Sequence, residues 1–351
     1  MFADVAKNEG LVAEGPSRGW RRALRWLVLL VGFGILARFL MLGWPQIVES
    51  VGALDGTQRG LIVLAVLIEG VWLFAQSQVY RSALVGFGGS ASNRKALGSS
   101  TAAFSLSRIL PGGGAVGSLY AANQFIKLGN RPALTIGSMM TSWWVSMTTL
   151  AVIVLGGVIV GVTRYGIDPG HIVGPSMGLG VMAVIGGLGW LVLHNDRVRS
   201  RLEPRIAKLL ASRSVGESVG EPDAALDEIR AGISPRTLSR IAFWSASAWL
   251  CDLTALWLCF AALGHPVGIT PLVIGYGMVN LIGALPELTP GWLGVIEVSL
   301  AGVFAIWGIP ASLSVVAVLA YRLVSYWLPV AVGLAPAIRL LRGGHIAQAT
   351  A

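Results

Sequence analysis

Long runs of apolar residues separated by short polar loops occupy most of this chain. Each run has the 17–25 or more residues that an α-helix needs to cross the ~30 Å hydrocarbon core of a bilayer. The pattern therefore predicts an all-α polytopic membrane protein with six full spans. The six runs cover residues 26–43, 60–80, 133–163, 172–193, 241–263 and 312–338.

Two further apolar regions are interrupted by proline and glycine. Residues 96–128 break at Pro-Gly-Gly-Gly (111–114), and residues 271–308 break at Pro-Glu-Leu-Thr-Pro-Gly (286–291). The halves contain about 15 residues each, which is ~22 Å of helix and too short to cross comfortably. We therefore expect each region to form a re-entrant helical hairpin, which enters the membrane and returns on the same side.

Composition supports a membrane protein and gives no sign of an enzyme. Charged residues make up 12% of the chain and hydrophobic residues 54%, whereas a soluble domain carries about 25% charged residues. Cys251 and Cys259 share one apolar run, and the four histidines do not cluster. Because no metal, nucleotide or nucleophile motif is present, we expect no catalytic residue, no metal and no cofactor.

The positions of the basic residues predict the orientation in the membrane. Arginines just before the first span place the N-terminus in the cytoplasm, since cytoplasmic loops are rich in Lys and Arg. Re-entrant hairpins also keep Lys127, Arg131 and the basic segment 195–240 inside, whereas a single kinked span over 96–126 would put that segment outside. The net charge of +9 is then explained by a multi-pass plasma-membrane protein with both termini cytoplasmic, without nucleic acid.

The predicted elements form two halves of opposite orientation. Each half has two spans, one hairpin and one further span, and the hairpins enter from opposite sides. Pro111 and Pro290 are each followed, at the same spacing, by a glycine, Gly129 and Gly308. Inverted repeats with broken helices are typical of secondary transporters. The predicted divisions are a cytoplasmic tail (1–25), a transmembrane domain (26–341) with repeats ~26–163 and ~172–341 and a cytoplasmic insertion (195–240), and a cytoplasmic tail (342–351).

Charges inside a membrane are costly and therefore mark candidate sites. The main candidates, Arg108, Glu287, Glu297 and Arg322, lie near the two breaks or at mid-depth. Their charges sum to zero, so they fit either a structural network of ion pairs or a polar substrate site. Glu69 and Asp252 lie in mid-span and could couple a proton, or pair with Arg38 or a backbone group.

The hairpin tips add backbone donors to these charges. Helices that begin after the two breaks would direct unpaired N–H groups into the membrane, and such ends favour phosphate. Glycine allows a ligand to approach the backbone closely, while Asn280 and Trp292 flank the second tip. The predicted substrate-binding residues are Arg108, Pro111, Gly112, Gly113, Gly114, Asn280, Glu287, Pro290, Gly291, Trp292, Gly294, Glu297 and Arg322.

Two stretches resemble the flippase-like transmembrane region of lysylphosphatidylglycerol synthases and their stand-alone relatives. They are LPGGGAVGSLYAANQFIKLGNRPAL (110–134) and LPELTPGWLGVIEVSLAGVFAIWGIPASLSVVAVLAYRLVSYWLPVAVG (285–333). The resemblance implies translocation of a lipid with a polar headgroup across the bilayer. Carried over residue by residue, it includes Pro290, Gly291, Gly294 and Glu297 at the second tip and Arg322 in the next span.

The leading hypothesis is a lipid flippase or transporter that moves a phosphate-bearing phospholipid or glycolipid between leaflets. Its expected partner is a membrane lipid with an anionic headgroup. A non-transporting scaffold that presents lipid to a cell-envelope glycosyltransferase is the alternative, with that enzyme as a further partner. The sequence ends shortly after the last apolar run, so we expect no aminoacyl-transferase activity of the kind found in full-length synthases.

Overall fold

The computed structural model describes residues 56–109, 113–165, 180, 232–282 and 295–334. Within these residues every element with defined bounds is helical, and none is a strand. The prediction of an all-α protein is therefore confirmed. The helices are α1 (Gly56–Gly86), α2 (Asn93–Ile109), α3 (Gly113–Lys127), α4 (Pro132–Tyr165), α5 (Pro235–Ala262), α6 (Ile269–Ile282), α7 (Val295–Ile306) and α8 (Ala311–Leu334).

Four of these helices, α1, α4, α5 and α8, are long and apolar enough to cross a membrane. They coincide with four of the six predicted spans. The other two predicted spans, 26–43 and 172–193, lie outside the described residues except for Gly180. The coarse prediction of a helical membrane protein is thus confirmed, whereas the total of six spans stays a prediction.

The helices occur twice in the order long, short, short, long. In the first half α2 and α3 have 17 and 15 residues, and in the second α6 and α7 have 14 and 12. The first break is narrower than predicted, because α3 already begins at Gly113. Gly113 and Gly114 therefore belong to the first turn of a helix, where the N–H groups have no intrahelical partner.

Glycines with positive φ follow four of the helices at one common position. Gly88, Gly129, Gly264 and Gly308 have φ of 85°, 91°, 76° and 79°. Each lies two residues after the last residue of α1, α3, α5 or α7. Such a left-handed residue is the common glycine stop of a helix, so corresponding helices of the two halves end in the same way.

The two long helices α1 and α5 pack against each other in antiparallel directions. Gly86 at the end of α1 faces Thr237 at the start of α5, so closely that a Cβ at position 86 would collide with the threonine. Further along, Glu69 of α1 adjoins Asp252 of α5. Because the residue number falls in one helix as it rises in the other, α1 and α5 run in opposite directions.

Helices α2 and α3 form a hairpin whose outer ends are held together. The side chain of Asn130, just after α3, accepts a hydrogen bond from the Ser90 N–H (2.7 Å) and donates one to the Ser90 carbonyl (3.0 Å). Nearer the break, Gly117 of α3 packs directly on the backbone of α2 at Ala103. The hairpin therefore opens beside the C-terminal end of α1.

The first helix of each pair of short helices packs on the last helix of the other half. The Ser105 hydroxyl of α2 lies 3.1 Å from the Val330 carbonyl of α8, next to Gly333. In the other half, Gly277 of α6 packs on Val154 of α4. Small residues at these crossings allow close approach between helices, which is the usual basis of helix packing in membranes.

Replacing Gly117 by alanine should open the α2–α3 hairpin. The added Cβ would lie 2.6 Å from the Ala103 carbonyl oxygen and 2.6 Å from the Ser107 Cβ, so backbone must move. We expect a loss of about 1–3 kcal/mol in stability, measured as a lower unfolding temperature in detergent. Gly98→Ala is the matched control because nothing lies within 4 Å of that Cβ. Equal unfolding temperatures for the two variants would contradict this packing.

Candidate functional site

An ion pair connects α7 to α8 inside the protein. Arg322 Nε lies 2.6 Å from Glu297 Oε1, and the two side chains are 6% and 2% exposed. Glu297 occupies the first turn of α7, where the helix dipole also stabilises a carboxylate. A buried charge is tolerated only when it is paired, so this contact fixes α7 relative to α8.

Arg108 lies in the last turn of α2, next to the first break. Its guanidinium carbon is 4.6 Å from the ring centroid of Phe104 and 5.0 Å from that of Tyr326. Within the described residues this guanidinium has no carboxylate partner and is held by aromatic rings instead. Cation–π contacts orient a cation without neutralising it, so Arg108 keeps its positive charge available.

Tyr326 joins the two arginines. The Arg322 guanidinium carbon lies 4.3 Å from the Tyr326 ring centroid, and the Tyr326 hydroxyl donates a hydrogen bond to the Arg108 carbonyl oxygen at 2.9 Å. We call Arg108, Tyr326, Arg322 and Glu297 the arginine cluster. It joins the C-terminal end of α2 to the N-terminal end of α7 by way of α8.

The helix α8 changes its winding within this cluster. Leu323–Trp327 form one π-helical turn directly after Arg322, and Tyr326 lies in that turn. π turns are rare and occur often at functional sites. Here the turn carries the aromatic ring that both arginines contact.

A second polar cluster lies where α1, α5, α6 and α8 meet. Asp252 accepts a hydrogen bond from the Tyr276 hydroxyl (2.6 Å) and one from the Tyr321 hydroxyl (2.7 Å). Glu69 is 1% exposed, its two carboxyl oxygens form no hydrogen bond, and it adjoins Asp252. We call Glu69, Asp252, Tyr276 and Tyr321 the carboxyl cluster.

The two clusters are neighbours. Tyr321 belongs to the carboxyl cluster and Arg322, the next residue of α8, to the arginine cluster. Arg108 interacts electrostatically with both Glu69 and Asp252. Two positive and three acidic side chains therefore share one polar interior. A change of charge in one cluster alters the electrostatic potential at the other.

The structure brings several predicted site residues together and leaves others apart. Arg108, Glu297 and Arg322 meet in the arginine cluster, and Glu69 meets Asp252. Asn280 donates to the Tyr276 carbonyl of its own helix at 2.9 Å. The predicted residues outside the described part of the chain are Pro111, Gly112, Glu287, Pro290, Gly291, Trp292 and Gly294.

Sequence reasoning missed the aromatic partners of these charges. Phe104 lies four residues before Arg108, and Tyr326 four residues after Arg322, which is the spacing of neighbours on one helix face. That spacing was an available signal for both pairs. The hydrogen bond from the Tyr321 hydroxyl to Asp252 was not predicted either. Among the described residues no group of three His, Cys, Asp or Glu side chains could hold a metal ion.

The fold and these buried charges define an integral membrane protein with a polar interior. A family model described as the lysylphosphatidylglycerol synthase TM region matches residues 25–333. The chain belongs to this family, as the resemblance of its motifs implied.

Among curated proteins the chain is similar to UPF0104 membrane proteins of Methanothermobacter thermautotrophicus. One match is 35% identical over 97 residues, or 28% of this chain and 29% of the relative. Another is 38% identical over 113 residues, or 32% of each protein. The matched segments thus span about a third of these relatives.

The Arg322–Glu297 pair should show strong energetic coupling. Removing one partner breaks a buried ion pair, which costs about 3–5 kcal/mol. We expect Arg322→Gln and Glu297→Gln each to lower stability by that order, and the double variant to lose much less than the sum. A double-mutant cycle of unfolding free energies measures this coupling. Additive losses would contradict a direct pair.

Proposed function

We propose that this protein moves a phosphate-bearing phospholipid or glycolipid between the two leaflets of the plasma membrane. The observation that carries the proposal is the Arg108 guanidinium, held between aromatic rings without a carboxylate partner among the described residues and next to a second arginine. A cation kept inside an apolar protein is a functional feature by default, and guanidinium is the group best matched to phosphate.

Within this proposal the arginines have different tasks. Arg322 is oriented by Glu297 and by the Tyr326 ring, whereas Arg108 offers the hydrogen-bond donors of its guanidinium to the headgroup. The N–H groups at the tip, with Pro111, Gly112, Gly113 and Gly114, would extend the cradle. Asn280, Glu287, Pro290, Gly291, Trp292 and Gly294 are proposed to line it from the other tip.

The proposal includes re-entrant hairpins and an inverted repeat. The contact of Asn130 with Ser90 supports a hairpin that opens beside the C-terminus of α1. The loop after α5, where the Trp257 side chain donates to the Val267 carbonyl, lies beside the C-terminus of α5. Since α1 and α5 are antiparallel, these two openings would lie on opposite sides of the membrane.

Such an arrangement provides a route for alternating access. The crossed packing of α2 on α8 and of α6 on α4 links each hairpin to the other half. Rocking of one hairpin against its partner helix would open the arginine cluster to one leaflet and then to the other. The proposal keeps both termini in the cytoplasm, which is the orientation that the basic residues of the sequence predict.

Transport by the purified protein tests the proposal. Reconstituted into liposomes, the protein should move phosphatidylglycerol that carries a fluorophore on one acyl chain and an unmodified headgroup. Movement is measured as the fraction of fluorophore that is protected from an added membrane-impermeant quencher. Arg108→Gln should slow movement at least about tenfold, the factor that corresponds to ~1.4 kcal/mol of lost binding. Labelled glucosylceramide, which lacks phosphate, should move no faster than in protein-free liposomes.

Arg94→Gln is the matched control. It removes the same charge from the same helix, but at the exposed outer end of α2. Transport at the wild-type rate in Arg108→Gln would contradict the proposed role of this arginine. Binding of phosphatidylglycerol without movement would contradict transport and support a scaffold that presents lipid to an envelope enzyme.

A further inference from the structure

Glu69 is the one side chain of the carboxyl cluster whose polar atoms have no hydrogen bond. Asp252 has both oxygens occupied by tyrosine hydroxyls, while both oxygens of Glu69 lack a donor although the residue is 1% exposed. Unsatisfied buried polar groups are rare and require an explanation. A carboxylate cannot remain in such a position without a partner.

A proton supplies the missing partner. Glu69 adjoins Asp252, and two carboxyl groups can hydrogen-bond to each other only when one of them carries a hydrogen. Both oxygens of Asp252 already accept a hydrogen bond from a tyrosine hydroxyl, whereas neither oxygen of Glu69 has a hydrogen-bond partner. The proton therefore belongs on Glu69, where it would form an O–H donor directed to Asp252.

The groups that face Glu69 decide how its protonation responds to a ligand. From α5 these are Asp252, Cys251 and Cys259. Two tyrosines, Tyr276 of α6 and Tyr321 of α8, also interact with Glu69. Among the described residues, Arg108 of α2 is a cation that interacts with Glu69, so neutralising this arginine weakens the attraction for a negative charge on Glu69.

We propose that Glu69 is a proton-binding site coupled to headgroup binding at Arg108. At a pH high enough for Glu69 to have lost its proton in the ligand-free protein, an anionic headgroup that pairs with Arg108 causes the Glu69 carboxylate to take up one proton from water and become a carboxylic acid. Linkage is reciprocal, so protonation of Glu69 strengthens binding of the anion by the same factor. This inference rests on the proposed function, since it takes lipid phosphate as the anion, and it supplies protons as the coupling ion.

Proton uptake upon binding tests the coupling without any transport measurement. The probe is dihexanoyl phosphatidylglycerol, titrated into detergent-solubilised protein by calorimetry in two buffers with different ionisation enthalpies. The wild-type protein should take up about one proton per bound lipid above the pH at which Glu69 loses its proton in the ligand-free protein, and none below it, where Glu69 is already protonated. Glu69→Gln should bind the probe without proton uptake, and Glu69→Asp, which keeps a carboxyl group, should retain uptake.

Infrared spectroscopy identifies the group that carries the proton. The C=O stretching band of a protonated carboxyl group should appear on binding of the probe, and it should be absent from Glu69→Gln. Glu69→Asp is the control, because it keeps a carboxyl group at this position and should retain the band. Persistence of the band in Glu69→Gln would overturn the assignment.

The possible failures are distinguishable. If wild-type protein does not bind the probe, the proposed function at the arginine cluster is wrong. If Glu69→Gln binds it with the same proton uptake as wild type, only the coupling is overturned. Binding that takes up no proton and is lost when sodium salts are replaced by choline salts would overturn a proton in favour of a metal cation.

Discussion

The hydrogen bonds that Asp252 accepts from Tyr276 and Tyr321 connect three helices at the centre of this protein. In an apolar interior a carboxylate is stable only if donors surround it, so the positions of α6 and α8 relative to α5 follow from this one requirement. The same interaction places Glu69 of α1 against a carboxyl group that is already satisfied. Four helices thus meet where their polar side chains cannot separate without leaving a charge unpaired.

Helix α8 is the common part of both clusters. Tyr321 turns towards Asp252, Arg322 pairs with Glu297, and Tyr326 contacts Arg108. A helix that is fixed to α7 through an ion pair and to α2 through aromatic contacts can transmit movement between them. The proposed lipid site and the proposed proton site would then move together, because Tyr321 of the carboxyl cluster and Arg322 of the arginine cluster are consecutive residues of α8.

The sequence was sufficient to predict the features that depend on hydrophobic composition and on the free-energy cost of placing a charge in a membrane. Long apolar runs predicted α1, α4, α5 and α8, and the rarity of charge in membranes selected Arg108, Glu297 and Arg322. It could not show which charges pair, because Asp252 finds its donors 24 and 69 residues away in sequence. The contact of α2 with α8 could not be predicted either. Gly333 is one of 46 glycines, and nothing in the sequence shows that it packs against Ser105.

The π turn after Arg322 also sets the phase of everything that follows it in α8. An α-helix advances about 100° per residue, so one extra residue in a turn rotates the downstream half by that angle relative to the upstream half. The upstream half keeps Tyr321 and Arg322 aligned with α5 and α7, whereas the downstream half presents Gly333 to Ser105 of α2. The extra residue therefore lets one helix direct its upstream contacts at α5 and α7 and its downstream contacts at α2. An uninterrupted α-helix would direct the downstream side chains about 100° away from α2.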